Sequence, residues 1–240
     1  MRGIYAATAG MLNSLAELDS IANNLANVDT VGYKKDYNVF KSYYEKEIRA
    51  YQNEDARGRT IGNIFSSVVL DDVILSREQG PLNETENNFD FAIHGQGFFK
   101  VQRNDNFLYT RNGEFTIDNQ GFLVTKNGDL VLDDQNNPIV VDIDDFFVFS
   151  DGSIAGTDAR LNIVNLENIT KYGDNYFIGL ELALTPQEYK IKQGYLEGSN
   201  VNALNEMIKM IEANRKFDIL QHAISATDSL NAKLVEITSI

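Results

Sequence analysis

Few side chains in this chain are placed to do chemistry. His94 and His222 are its only histidines, and it has no cysteine. A metal centre needs several ligands close together, and neither histidine has a second one nearby in sequence. Without thiols, a disulfide framework and thiolate centres are excluded. Acidic pairs stand at Asp71-Asp72, Asp133-Asp134 and Asp144-Asp145. Such pairs can hold Ca²⁺ or, at the right separation, hydrolyse glycosides. None has the spacing of a calcium loop, and residues 130–137 make the best of three weak candidates. Gly95-Gln96-Gly97 lacks the third glycine and the following helix of a dinucleotide fingerprint, and reads as a strand turn. The expectation is no catalytic residue, no metal and no cofactor.

The informative pattern lies at the two ends of the chain. Ile4, Ala7, Met11, Ser14, Leu18, Ile21, Leu25 and Val28 recur in alternating steps of three and four residues. This predicts one helix over residues 3–29 with an apolar seam, stopped by Gly32. Ala6, Ala7, Ala9 and Gly10 would let a second helix come close. At the other end stand Val201, Leu204, Ile208 and Ile211, then Phe217, Leu220, Ile224, Leu230 and Leu234. They predict a helix that begins near residues 199–202, which suit capping, and runs about 40 residues, or roughly 60 Å. The stripe shifts phase between Ile211 and Phe217, which reads as a stutter in a coiled-coil repeat. Asn23, Asn24 and Asn27 lie on the polar side of the first helix. There they are expected to fix the register between subunits, as buried polar residues do in coiled coils.

Between these ends the pattern changes. Residues 33–60 are rich in tyrosine and charge, with a balance of +2, and periodicity leaves open whether they are helical or extended. Residues 61–198 read as short strands. Asn112-Gly113 and Asn127-Gly128 between alternating apolar runs are hairpin signals. The expected fold class is α+β. Long N- and C-terminal helices (1–32 with 199–240) pair as a coiled coil, 33–64 form a connecting arm, and 65–198 form an irregular antiparallel β domain. Charge follows the same division. Residues 61–198 hold 9 Lys/Arg and 22 Asp/Glu, a balance of −13, out of −14 for the whole chain. The near-neutral ends can pack against copies of themselves, while an acidic body repels nucleic acid. No apolar run approaches the ~20 residues that cross a bilayer.

Four segments resemble a known family. Residues 21–34, IANNLANVDTVGYK, resemble the N-terminal signature of bacterial flagellar rod and hook proteins. Residues 90–99, DFAIHGQGFF, resemble their first central motif, and residues 109–124, from YTRNGEF to GFLV, their second. Residues 193–202, QGYLEGSNVN, are similar to the entry to their C-terminal helix. The length and the opening Arg2-Gly3-Ile4-Tyr5 are most similar to the proximal-rod members.

This resemblance implies a structural role with no chemistry. Members are exported unfolded through the flagellar type III apparatus, here without a cleaved signal, and stack helically into the drive shaft that spans the periplasm. The partners it implies are copies of the chain, neighbouring rod subunits and, in transit, the export apparatus, with no nucleic acid and no membrane insertion. The interface residues expected are Ile4, Met11, Leu18, Ile21, Asn23, Asn24, Leu25, Asn27, Val28, Val201, Leu204, Ile208, Ile211, Phe217, Leu220, Ile224, Leu230 and Leu234. The alternatives are a distal-rod or hook-type subunit, a β-rich carbohydrate-active enzyme with helical ends, and a phage-tail or adhesin-like fibre.

Overall fold

The computed structural model of the chain describes residues 2–42, 45–50, 59–65, 68–141, 146–185 and 188–238. The elements run α1 (Arg2–Ala26), β1 (Asp36–Ser42), β2 (Glu45–Ala50), β3 (Arg59–Phe65), β4 (Val68–Leu75), β5 (Leu82–Glu84), β6 (Phe91–Gly95), β7 (Phe98–Arg103) and β8 (Asn106–Thr110). They continue with β9 (Phe115–Ile117), β10 (Leu123–Thr125), β11 (Leu130–Val131), β12 (Ile163–Gly173), β13 (Tyr176–Ala183), β14 (Tyr189–Gln193), β15 (Tyr195–Glu197) and α2 (Ala203–Thr238). The fold is α+β, with a helix at either end and antiparallel strands between. Residues 33–64, expected as a connecting arm, helical or extended, carry β1, β2 and most of β3. The chain divides into two units: Met1–Ala26, Asp36–Ile74 and Asn202–Ile240 form the first, and Asn27–Lys35 and Leu75–Val201 the second.

In the first unit α1 and α2 pack along each other. Three contacts fix their direction. Asn24 meets Glu206 at 3.5 Å and Glu17 meets Lys216 at 3.3 Å. A Cβ on Gly10 would lie 2.9 Å from Leu220. As the α1 number falls the α2 number rises, so the helices are antiparallel. At Gly10 the helices come close enough that a Cβ would press on the end of the Leu220 side chain. The inward face of α2 carries Ala203, Glu206, Met210, Ala213, Phe217, Leu220, Ile224 and Thr227, all buried or half-buried. These keep unbroken steps of three and four, the spacing of an apolar seam.

The expected stutter is therefore corrected. Leu204, Ile208 and Ile211 do not belong to the seam that Phe217 continues; they stand exposed on another face. Two stripes on one helix look like a single stripe with a phase shift when only apolar residues are counted. The ends of the helices are also explained locally. The Asn202 side chain accepts the Asn205 N–H at 3.0 Å, capping α2. The helix α1 ends three residues sooner than expected, because Asn27 starts a turn in which its carbonyl accepts the Thr30 N–H. Strands β1 with β4 and β2 with β3 make two-stranded pairs.

The second unit is built on a seven-stranded sheet in the order β12-β13-β8-β7-β11-β10-β9. Strand β7 also pairs with β12, Phe99 opposite Ile163 and Phe98 opposite Val164. The strands β12, β13, β8 and β7 thus close into a ring. Because side chains alternate along a strand, the ring has two faces. One carries Phe98, Tyr109, Val164, Leu166 and Phe177. The other carries Phe99, Val101, Leu108, Ile163 and Tyr176, which join the main core with Phe91, Ile93, Phe115 and Leu123. Strand β6 pairs with β14, and β5 with β15. Residues 139–141, 146–149 and 153–155, inside the stretch read as short strands, form only isolated bridges such as Val148 with Ile154.

Candidate functional site

Two groups of residues stand out, one in each unit. In the first unit the expected interface residues separate by face. Ile21 is buried, and Ile4, Met11, Leu18, Leu25, Phe217, Leu220 and Ile224 are half-buried. Leu204 is 67% exposed, and Ile208, Ile211 and Leu230 are also largely exposed. Met207 joins Leu204, Ile208 and Ile211 on the exposed stripe, and Tyr5, Leu12 and Leu15 form another on α1. Beside the close approach at Gly10, an open groove of about 420 Å³ is lined by Phe40, Ile219, Leu220, Asn13, Glu17 and Lys216 among others. The side chain of Leu234 lies outside the described residues.

Asn24, expected at the interface, is bound within its own chain. It is 1% exposed. Its amide donates to the Asp36 carbonyl at 3.0 Å and accepts the Asp36 N–H at 2.9 Å. The side chain behaves as a peptide group would, docking the start of β1 on α1 within one subunit. Asn23 is exposed and Asn27 half-buried, while Val28 is half-buried in the turn and Val201 is buried.

The second unit holds a charged clasp that was not anticipated as a site. Lys34, Arg111 and Glu197 are 2%, 4% and 0% exposed. One oxygen of Glu197 accepts the Lys34 ammonium at 2.6 Å and the Gly80 N–H at 2.9 Å. The other accepts Arg111 Nη1 at 2.9 Å. Arg111 also donates to the carbonyls of Ile93 (3.2 Å) and Gly95 (2.7 Å), and Lys34 to that of Glu78 (2.7 Å). Burial pushes Lys34 and Arg111 below their ordinary values, against the pull of Glu197. Removing charge from water is costly, and a buried carboxylate with three donors offsets much of that cost. The signal in the sequence lies in the motifs themselves. Lys34 closes the first, Ile93 and Gly95 lie in the second, Arg111 in the third, and Glu197 in the fourth.

Next to the clasp three segments that lead out of the unit are tied together. The Asn200 side chain accepts the Lys35 N–H at 2.8 Å and donates to Ser76 Oγ at 3.1 Å. The Ser76 N–H donates to the Lys35 carbonyl at 2.8 Å. Gly32 holds the turn before Lys34. Its φ is +67°, and a Cβ there would fall 2.4 Å from the Arg111 carbonyl carbon. Only glycine meets both conditions.

Of the acidic candidates, Asp133 forms a turn, while Asp71 and Asp72 lie within β4. Asp133 Oδ1 accepts the N–H groups of Gln135 (2.9 Å) and Asn137 (2.7 Å). Asp72 accepts the N–H of Val73. The pair Asp144-Asp145 lies outside the described residues. His94 on β6 and His222 on α2 are exposed. Among the described residues no group of three or more His, Asp or Glu could hold a metal ion, and no helix is long and apolar enough to cross a membrane.

Comparison with known proteins places these features. Three family models match the chain: the flagella basal body rod protein model over residues 4–34, the flagellar hook protein FlgE/F/G D1 domain over 92–156, and the flagellar basal body rod FlgEFG protein C-terminal model over 192–237. The flagellar basal-body rod protein FlgF of Caulobacter vibrioides is 32% identical, over 97% of this chain and 96% of the relative. The flagellar basal-body rod protein FlgG of Bacillus subtilis is 31% identical, over 99% of both. The flagellar hook protein FlgE of Borreliella burgdorferi is 33% identical, but over 48% of this chain and 26% of the relative. With full-length kinship of this kind, and with Lys34, Arg111 and Glu197 drawn from the segments that carry it, the chain belongs to the flagellar basal-body rod protein family, which is structural and not enzymatic.

Proposed function

We propose that this chain is a structural subunit of the flagellar rod in the basal body, polymerising helically with copies of itself and with neighbouring rod subunits. The observation that carries the reading is the double stripe on α2. One stripe is spent on α1. The other, from Leu204 to Ile211, is apolar and exposed in the lone chain. Exposed apolar strips of this kind mark contact surfaces. The helix pair, α1 against α2 with seam residues at steps of three and four, would form the coiled-coil inner layer. Leu204, Ile208 and Ile211 would reach the next subunit. The similarity of Arg2-Gly3-Ile4-Tyr5 to proximal-rod members favours the proximal part of the shaft, and the same reading includes export through the flagellar type III apparatus and a final position across the periplasm. The hook-type reading is weaker, since the hook protein is matched over only 26% of its length.

The test is a double substitution, Leu204→Asp with Ile211→Asp. Both side chains are exposed, so the purified monomer should melt as the parent does, within about 0.5 kcal/mol. Burying two carboxylates between subunits costs several kcal/mol each, so rods should fail to form and swimming should stop. Normal motility with intact basal bodies would refute the proposal. Labelling the chain in isolated basal bodies would separate the proximal from the distal position.

A further inference from the structure

Residues 27–35 form a strap laid on the body of the second unit, and we infer that this strap docks and undocks as one piece while the body beneath it stays folded. The basis is the charge count in the clasp. Two cations, Lys34 and Arg111, share one carboxylate, Glu197. Arg111 and Glu197 both belong to the body, 2.9 Å apart, and Arg111 keeps the Ile93 and Gly95 carbonyls whether or not the strap is present. Glu197 likewise keeps the Gly80 N–H. The body is therefore a neutral pair by itself, and Lys34 arrives as the surplus charge.

Lifting Lys34 leaves Glu197 with Arg111 as its cation, and it returns Lys34 to water. Most buried elements cannot leave so cheaply, because they strand a charge or open a cavity. The other holds on the strap are mainly polar. Gly32 N–H donates to the Glu197 carbonyl at 2.6 Å, and Asn175 Nδ2 donates to the Val31 carbonyl at 2.6 Å. Asn200 and Ser76 bind the backbone of Lys35. Lys171 lies over the ring of Tyr33 at 4.2 Å, and Tyr33 is the strap's one deeply buried apolar side chain. A segment held by many polar contacts and one aromatic anchor opens cooperatively and below the cost of global unfolding. The strap is thus a latch built into the fold, closed in the structure and open at small cost. This inference does not depend on what the chain assembles into.

Amide hydrogen exchange on the full chain, resolved by residue, tests it. The N–H groups of Gly32, Lys35, Ser76 and Asn200 should exchange as one group, about a hundredfold less protected than those of Lys100, Leu132 and Asn162 in the body. Glu197→Gln sets two cations against a neutral amide, and should cut strap protection by a further factor on the order of ten or more relative to the body. Lys34→Met removes the surplus charge, and should leave strap protection equal or higher. Equal protection of strap and body in the parent chain would overturn the inference. So would equal loss in both for Glu197→Gln, or a strap loosened by Lys34→Met.

Discussion

At the scale of single residues, this chain uses its charges for cohesion. Arg103 and Asp129 show it most simply. The guanidinium grips the carboxylate at both oxygens, 2.8 and 2.9 Å, and stacks on Tyr176 at 4.6 Å. Burial raises the Asp129 value, but hydrogen bonds from Arg103 and Tyr176 more than offset it, so Asp129 titrates below its ordinary 3.8. A carboxylate held below its unfolded value contributes stability above that value, and the contribution fades as pH falls through the folded one. We expect Asp129→Asn to lower stability at neutral pH by about 1–3 kcal/mol. The variant should also lose less stability than the parent below pH 4. Denaturant midpoints measured from pH 7 to pH 2 give both numbers; parallel profiles would count against the pair. None of this was legible in the sequence. Arg103 and Asp129 are 26 positions apart, and only the antiparallel pairing of β7 with β11 brings their segments together.

At the scale of elements, the helices were the most legible part, since a seam of regular steps survives any context. What the sequence concealed was the number of faces. Counting Leu204, Ile208 and Ile211 with Phe217 hides the small and polar seam members, Ala203, Glu206 and Ala213. A buried Glu in an apolar seam has no signature in a pattern of hydrophobic residues. The strands fared differently. Asn127-Gly128 does join the paired strands β10 and β11, but Asn112-Gly113 joins β8 to β9, which do not pair with each other, and β12 and β13, the longest pair, carry no Asn-Gly turn. Asn168, Asp174 and Asn175 take positive φ there, and register shifts fall beside them. Asn and Asp tolerate that conformation, yet in sequence they read as strand ends. The helix contact also has a direct test. Gly10→Val places methyl groups against Leu220, so it should cost about 1–3 kcal/mol by overpacking. Leu220→Ala in the same chain should recover part of the loss. Additive losses would show that the two residues do not meet.

At the scale of the whole molecule, charge and greasy surface are allotted to different parts. Residues 61–198 carry −13 of the total −14. Copies brought side by side must set these acidic stretches near one another, and that repulsion is long-ranged at low salt. The Debye length falls from roughly 30 Å at 10 mM to about 8 Å at 150 mM. Polymerisation of the purified chain should therefore quicken with added salt, as read by light scattering. Faster assembly at low salt would mean that attraction between opposite charges drives it instead.

The ring of β12, β13, β8 and β7 has one more consequence. The ring closes where Phe98 and Phe99 meet Ile163 and Val164 and where Tyr109 and Thr110 meet Tyr176 and Phe177, so at that end no open row of peptide groups is offered to a stranger. The open rows are left to the β12–β13 hairpin beyond those residues, where Asn168, Asp174 and Asn175 at positive φ and the register shifts break the flat edge that a cross-β ribbon needs.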